Sequence, residues 1–282
     1  MTLRTVLVVA GLTLREAARR RVLRSLAVLT AVLLGLSAWG FTRIDATFGG
    51  LTSGESRLAA AMVLNLVMFG LSLIAALGTA FLAGPTLAGE TESGMALAVL
   101  ARPVRRSAVL VGKWLGLVAF GSGFVAAAGS AQLCIVWVTV GYWPPRPLAG
   151  LALLAAQAIV LLTLGLLLST AVSPMASGIV AVGLFGAGWV AGVIGGVGEA
   201  FDNDGVARVG AVSQMLLPTD GLWRGAMNAF QDSTLLTQFG PAFEGHPLLS
   251  AAAPTTTYLA WVGLWIALVL GLAVLVFQRR DQ

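Results

Sequence analysis

The sequence predicts an all-α polytopic membrane protein with six transmembrane helices, and three observations carry that prediction. Residues are 58% hydrophobic and only 10% charged, where a soluble domain of this length carries roughly a quarter charged residues. Mean hydropathy is +0.92, and several apolar runs exceed the ~18 residues that read as a bilayer span. The basic residues, finally, sit in alternate connecting segments, as membrane topology requires. Residues 1–282 read as one transmembrane domain: six spans, an N-terminal amphipathic helix, a charged segment between the second and third spans, and a mixed segment before the last.

Residues 2–22 place Leu3, Val6, Leu7, Ala10, Leu14 and Ala17 at helical spacing, with Arg4, Arg15, Glu16, Arg19 and Arg20 largely elsewhere. That pattern predicts a helix lying along the membrane surface before the chain turns in. A cleaved signal peptide is the competing reading. It is set aside because the basic region is long and the remainder is itself polytopic.

The first span is 25–41, ending at the interfacial aromatics Trp39 and Phe41. A polar loop is expected from Thr42 to Arg57. The second span, 58–87, is about thirty residues, or ~45 Å as a helix, against a hydrocarbon core of ~30 Å. Its end projects into the charged segment unless Gly84-Pro85 breaks it. In that segment, 88–106, Glu90 and Glu92 suit a helix N-terminus and Arg102, Arg105 and Arg106 its C-terminus. Arg102-Pro103 reads as the stop, and Lys113 closes the stretch. Two readings stay open here: a short amphipathic helix on the cytoplasmic face, or a solvated loop whose charges only set topology.

The third span is 114–140, flanked by Trp114 and by Tyr142-Trp143-Pro144-Pro145. The fourth, 149–171, meets the fifth, 175–197, at a tight turn over Ser173-Pro174, and the sixth is 255–277. The intervening 199–254 is expected outside the cell. Leu222, Trp223, Met227 and Phe230 are spaced there for one face of a short amphipathic or re-entrant helix that starts at Pro218-Thr219-Asp220. His246, beside a proline, reads as a surface loop residue.

Charge fixes the orientation. With the N-terminus inside, cytoplasmic segments hold twelve of the seventeen basic residues and outer segments five. Both termini are therefore expected in the cytoplasm. The basic balance serves topology, so it is no signal for nucleic acid.

Absences narrow the function. No Asp, Glu, Lys, Arg or His falls inside the six spans as drawn, which speaks against ion-coupled transport and intramembrane hydrolysis. A single histidine and a single cysteine, Cys134, offer no metal-ligand spacing and no intrachain disulfide. Cys134 reads as a small packing residue. No catalytic constellation is present, and Gly112-Lys113 lacks the rest of a phosphate-binding loop. Energy for uphill movement must come from another chain.

Polar residues inside the spans are Asn65, Gln132 and Gln157. Each either lines a path or bonds between helices, a role worth roughly 0.6–2 kcal/mol. Asn65 is the better path candidate, because Met62, Met68 and Phe69 share its helical face. In the fifth span, Gly188, Gly192 and Gly196 form a small-residue stripe that serves either intrachain packing or a subunit interface, with Trp189 beside it as cavity lining or packing. Trp261 and Trp265 in the sixth span read as lipid-facing or packing anchors.

Several stretches together resemble a known family: LREAARRRVLR (14–24), GETESG (89–94) with ARPVRRSAVLVGKWLG (101–116), LLSTAVSPMASG (167–178), LLPTDGLWRGA (216–226) and VFQRRD (276–281). In this order, over nearly the whole chain, they resemble an ABC-2 type permease, the membrane subunit of an ATP-binding-cassette exporter. The nearest branch includes permeases linked to multicopper-enzyme maturation. The resemblance implies a bacterial or archaeal cytoplasmic membrane, two permease copies, and two separate ATPase subunits that bind ATP-Mg. This chain then binds no cofactor of its own. The segment between the second and third spans would be the coupling helix, carrying Glu90, Glu92 and Gly94, with Arg102, Pro103 and Arg106 fixing its exit toward Lys113. The second and fifth spans would meet across the dimer, placing Asn65, Met62, Phe69 and Trp189 near the path. Cargo is expected to be amphipathic or lipid-like. The alternative is a non-transporting membrane module that assists assembly of periplasmic enzymes, copper enzymes among them.

Overall fold

A computed structural model describes residues 3–48, 54–92, 106–232, 247–250 and 252–279. The described residues are helical, with no strand among them: α1 (Leu3–Arg19), α2 (Arg21–Phe48), α3 (Gly54–Glu92), α4 (Arg106–Val140), α5 (Pro147–Ser169), α6 (Pro174–Ala200), α7 (Asp204–Leu216), α8 (Thr219–Phe230) and α9 (Thr256–Arg279). Six of these are long and apolar enough to cross a bilayer: α2, α3, α4, α5, α6 and α9. The chain is a multi-pass membrane protein.

Helices α3 and α5 form the centre of the bundle and α2 and α9 its rim. In lipid, helices gain little from burying apolar surface, so close packing of small residues and interhelical hydrogen bonds decide the arrangement. The buried side of α3 is accordingly rich in alanine: Ala60, Ala61, Ala75, Ala76, Ala80 and Ala83. Polar side chains cross-link the helices as well. Gln132 Nε2 donates to Ser37 Oγ at 2.7 Å, Ser72 Oγ to Gln157 Oε1 at 2.7 Å, and Trp114 Nε1 to Thr163 Oγ1 at 2.9 Å. Gln132 and Gln157 thus take the bonding role of the two foreseen for them.

Several helix ends differ from expectation. The predicted loop from Thr42 is helical as far as Phe48, and α3 already begins at Gly54. A helix satisfies its own backbone and need not stop where apolar sequence stops. Here Thr42 Oγ1 caps Trp39 O at 2.7 Å, and Arg43 lies over the Trp39 ring. Gly84-Pro85 does not break α3, which runs unbroken for 39 residues, about 58 Å. A Cβ at Gly84 would lie 2.3 Å from Pro174 O, so the glycine lets the start of α6 dock against α3. Because α4 begins at Arg106, Lys113 lies two turns inside it and is buried, rather than closing a loop outside the spans. Cys134 is exposed on α4, facing outward rather than packing inside.

Helix α1 packs along the first half of α4. Gly116 makes the approach possible: a Cβ there would sit 2.5 Å from Ala10 O. The end of α3, the start of α4 and the α5–α6 turn lie together at this end of the bundle. At the opposite end are α7, α8 and the α4–α5 connection.

Candidate functional site

Among its described residues, the segment after α6 holds two helices where the sequence reading foresaw one. The unforeseen α7 starts at an Asn203 cap, whose side chain accepts from Val206 N at 3.2 Å. It crosses α6 where Gly195 and Gly210 meet backbone to backbone.

Helix α8 is not a surface amphipath. Eleven of its twelve residues are buried, including the polar Thr219, Asp220 and Asn228 as well as Leu222, Trp223, Met227 and Phe230. It is an inserted plug, and polar bonds hold both of its ends. At the start, Gln157 Nε2 donates to Thr219 O at 3.2 Å and Tyr258 OH to Pro218 O at 3.1 Å. Trp261 and Trp265 donate to Met215 O and Leu216 O, so these indoles fasten the α7–α8 turn. At the finish, Arg146 Nη2 donates to Asn228 Oδ1 at 2.6 Å and Tyr142 OH to Phe230 O at 2.8 Å. Burial, and then the Asp232 charge, push the Tyr142 phenol well above its ordinary pKa, while Arg57 opposes them. It keeps its proton for that bond.

The glycine stripe of α6 faces this plug. Asp220 accepts from Arg224 Nε at 2.9 Å and from Gln214 Nε2 at 3.0 Å, while Arg224 Nη2 donates to Gly192 O. A Cβ on Gly192 would lie 2.1 Å from Asp220 Oδ2, so the carboxylate occupies the space that glycine leaves open. Gly188 faces Thr219, and Gly196 faces the Arg224 guanidinium. Burial raises the Asp220 pKa; Arg224, through its charge and its hydrogen bond, and Gln214 pull against that rise. Within the chain, Gly188, Gly192 and Gly196 face α8 and the end of α7.

The path candidates come together at the edge of the plug. The Phe69 ring lies 5.0 Å from that of Trp189 and 5.4 Å from that of Trp223. Asn65 is fully buried; its Nδ2 donates to Leu248 O at 2.9 Å and to Gln231 Oε1 at 3.4 Å. Gln231 Nε2 and Asn228 Nδ2 both reach Ser250 O. Asn65 therefore ties α3 to the plug and to the chain that follows it. Met62, one turn away, is half-buried. Asn65 Oδ1, Thr219 Oγ1 and Trp223 Nε1 are buried without a protein hydrogen-bond partner, each a cost of roughly 1–3 kcal/mol. A small cavity between α3, α4 and α5, walled by Ser72 and Gln157 among others, has room for about one water molecule.

At the other end, Glu90 and Glu92 fall in the last turn of α3, not at the helix N-terminus expected for them, and Arg106 is the first residue of α4, not part of a helix C-terminus, because α3 continues through Gly84-Pro85 into the charged segment. Gly94, Arg102 and Pro103 lie outside the described residues, and with them the choice between helix and solvated loop. Two long helices thus enter and leave that segment directly. The family model described as ABC-2 family transporter protein matches residues 12–282. The chain belongs to that family. A search of curated proteins found no match. Membership makes this chain a membrane subunit of an ABC transporter. ABC-2 permeases are generally non-catalytic and imply an ATPase partner.

Proposed function

We propose that this ABC-2 chain is the permease half of an exporter in a bacterial or archaeal cytoplasmic membrane, with both termini cytoplasmic. Two copies form the path, and two separate ATPase subunits binding ATP-Mg drive it. Glu90, Glu92 and Gly94 engage the ATPase, and Arg102, Pro103, Arg106 and Lys113 fix the exit of the coupling segment into α4. The observation that carries this reading is α3. It is one unbroken helix with Glu90 and Glu92 in its last turn and Asn65, bonded to Gln231 at the end of the plug and to Leu248, about 38 Å away along it. A push on the coupling segment travels along that rod and shifts Asn65 against Gln231 and Leu248. Displacing α8 then uncovers Phe69, Trp189 and Met62, and water satisfies the buried polar atoms of the plug.

The second copy is assigned to the outward face of α6. Ile179, Val190, Ile194 and Val197 are exposed there, and Gly183 and Gly186 have open space where a Cβ would be. Two such small positions let helix backbones approach closely. The apolar, Met- and Phe-bearing surroundings of Asn65 favour amphipathic or lipid-like cargo. No group of three or more His, Cys, Asp or Glu comes together among the described residues to favour a metal ion.

The test is cargo-stimulated ATP hydrolysis by the purified permease–ATPase complex. Glu90→Ala with Glu92→Ala is expected to abolish most of the stimulation while the protein inserts and assembles normally. Unchanged stimulation in an intact complex contradicts the assignment of the coupling segment.

A further inference from the structure

We propose that Gln157 is a positioning residue that carries the movement of α3 to the start of the plug, so that one rod grips α8 at both ends. The inference rests on the transport reading and deepens it, because that reading uses only the grip at Asn65. On α3, Asn65, Ser72 and Thr79 are buried, and their seven-residue spacing puts them on one face. Thr79 bonds back to Ala75 O of its own helix at 2.9 Å. The other two reach outward. Asn65 takes the finish of the plug through Gln231. Ser72, about 10 Å further along the helix, donates to Gln157 Oε1 at 2.7 Å. Gln157 Nε2 in turn donates at 3.2 Å to the carbonyl of Thr219, the first residue of α8.

The chemistry of the amide fixes the direction of this relay. A backbone carbonyl only accepts, so Nε2 must face Thr219 and Oε1 must face Ser72, whose hydroxyl supplies the proton. Both ends of the amide are thereby used, in a side chain buried between α3, α5 and the plug. The Phe69 and Trp223 rings also join α3 to α8. Apolar contact of that kind re-forms at many offsets, whereas a hydrogen bond weakens steeply once its angle is lost. Displacement of α3 is therefore felt at Gln157 before it is felt at the rings. The cavity walled by Ser72 and Gln157 has room for about one water molecule. A water admitted there takes the place of the Ser72 hydroxyl, so the relay breaks and re-forms without leaving a buried amide unpaired. On the other side, Tyr258, Trp261 and Trp265 of α9 hold the same end of the plug. They supply the pivot about which Gln157 turns it.

The test uses the full-length chain in complex with its ATPase, in a Cys134→Ser background that removes the exposed native thiol. One cysteine is placed at the start of the plug (Thr219→Cys) or near its finish (Ala229→Cys), both buried positions. Its rate of reaction with a membrane-impermeant methanethiosulfonate is measured with and without bound ATP. ATP is expected to raise the rate at both positions by about tenfold. Ser72→Ala or Gln157→Leu should cut the gain at the start to about twofold, the loss expected of one interhelical bond, and leave the gain at the finish intact. The double variant should lose no more than either single one, because both break one chain of bonds. Ser72→Thr keeps the hydroxyl and should keep the gain. A full gain at the start in Ser72→Ala overturns the relay. So does an equal loss at both positions, which marks a general loosening of the bundle, or a response confined to the finish when Ser72 and Gln157 are intact. No response at either position with the relay intact overturns the push along α3 itself, and the relay with it, so the two readings fail distinguishably.

Discussion

Helix α6 carries glycines on two faces, and the fold treats them in opposite ways. Gly188, Gly192 and Gly196 are covered by α8, with the Asp220–Arg224 pair filling the groove. Gly183 and Gly186 open onto empty space. Both faces look alike in sequence, since small residues at helical spacing report only that something approaches closely. The covered face fastens the plug within one protomer. The open face is available to another helix, and the proposed dimer uses it. Closure of the plug and assembly of the pair are therefore separable, although one helix serves both.

Substitutions should separate the two faces. The largest effect is expected for Gly192→Val, whose side chain has no room beside the Asp220 carboxylate. A loss of about 4 kcal/mol or more, or failure to accumulate in the membrane, should appear in thermal unfolding of detergent-solubilised protein. Asp220→Ala comes next. It strands the Arg224 guanidinium and should cost about 2–3 kcal/mol, less than the ~3–5 of a fully buried pair, because Arg224 is 26% exposed. Asp220→Asn keeps an acceptor and should cost less, which a parallel melt checks. On the open face, Gly183→Leu with Gly186→Leu should change protomer stability by under ~1 kcal/mol yet shift the complex from two permease copies to one in light scattering. If that variant melts like Gly192→Val, the two faces are not distinct. The smallest effect on stability belongs to Glu90→Ala with Glu92→Ala, which should leave the melting curve of the permease unchanged.

The spans were legible because apolar runs of bilayer length have few alternatives, and all six predicted helices are present. Their ends were less legible. A helix continues through polar residues once water or side chains satisfy it, as α2 does past Thr42, and loop-like charge does not forbid helix, as α4 shows around Lys113. Helix α7 could have been found from Asn203-Asp204, an acceptor and an acid at a helix start. Asp220 and Arg224 stand four apart in LLPTDGLWRGA, the spacing of a helical ion pair. What sequence withheld is that this pair would be buried against Gly192, because spacing identifies a face and not what covers it. The path candidates Asn65, Phe69 and Trp189 were chosen from two different helices, and the fold does bring them to one place. They are sealed there by α8, whose burial on every side goes beyond the single face marked by Leu222, Trp223, Met227 and Phe230.

The segment between α3 and α4 is the proposed lever through which a partner ATPase moves the plug. The most direct measurement is photo-crosslinking in native membranes from a reactive residue placed at Met95, with a membrane-impermeant label applied to the same position from either side. An adduct with the ATPase subunit and labelling from the cytoplasmic side alone are expected. Labelling from the outer side, or adducts that contain no nucleotide-hydrolysing partner, would contradict it.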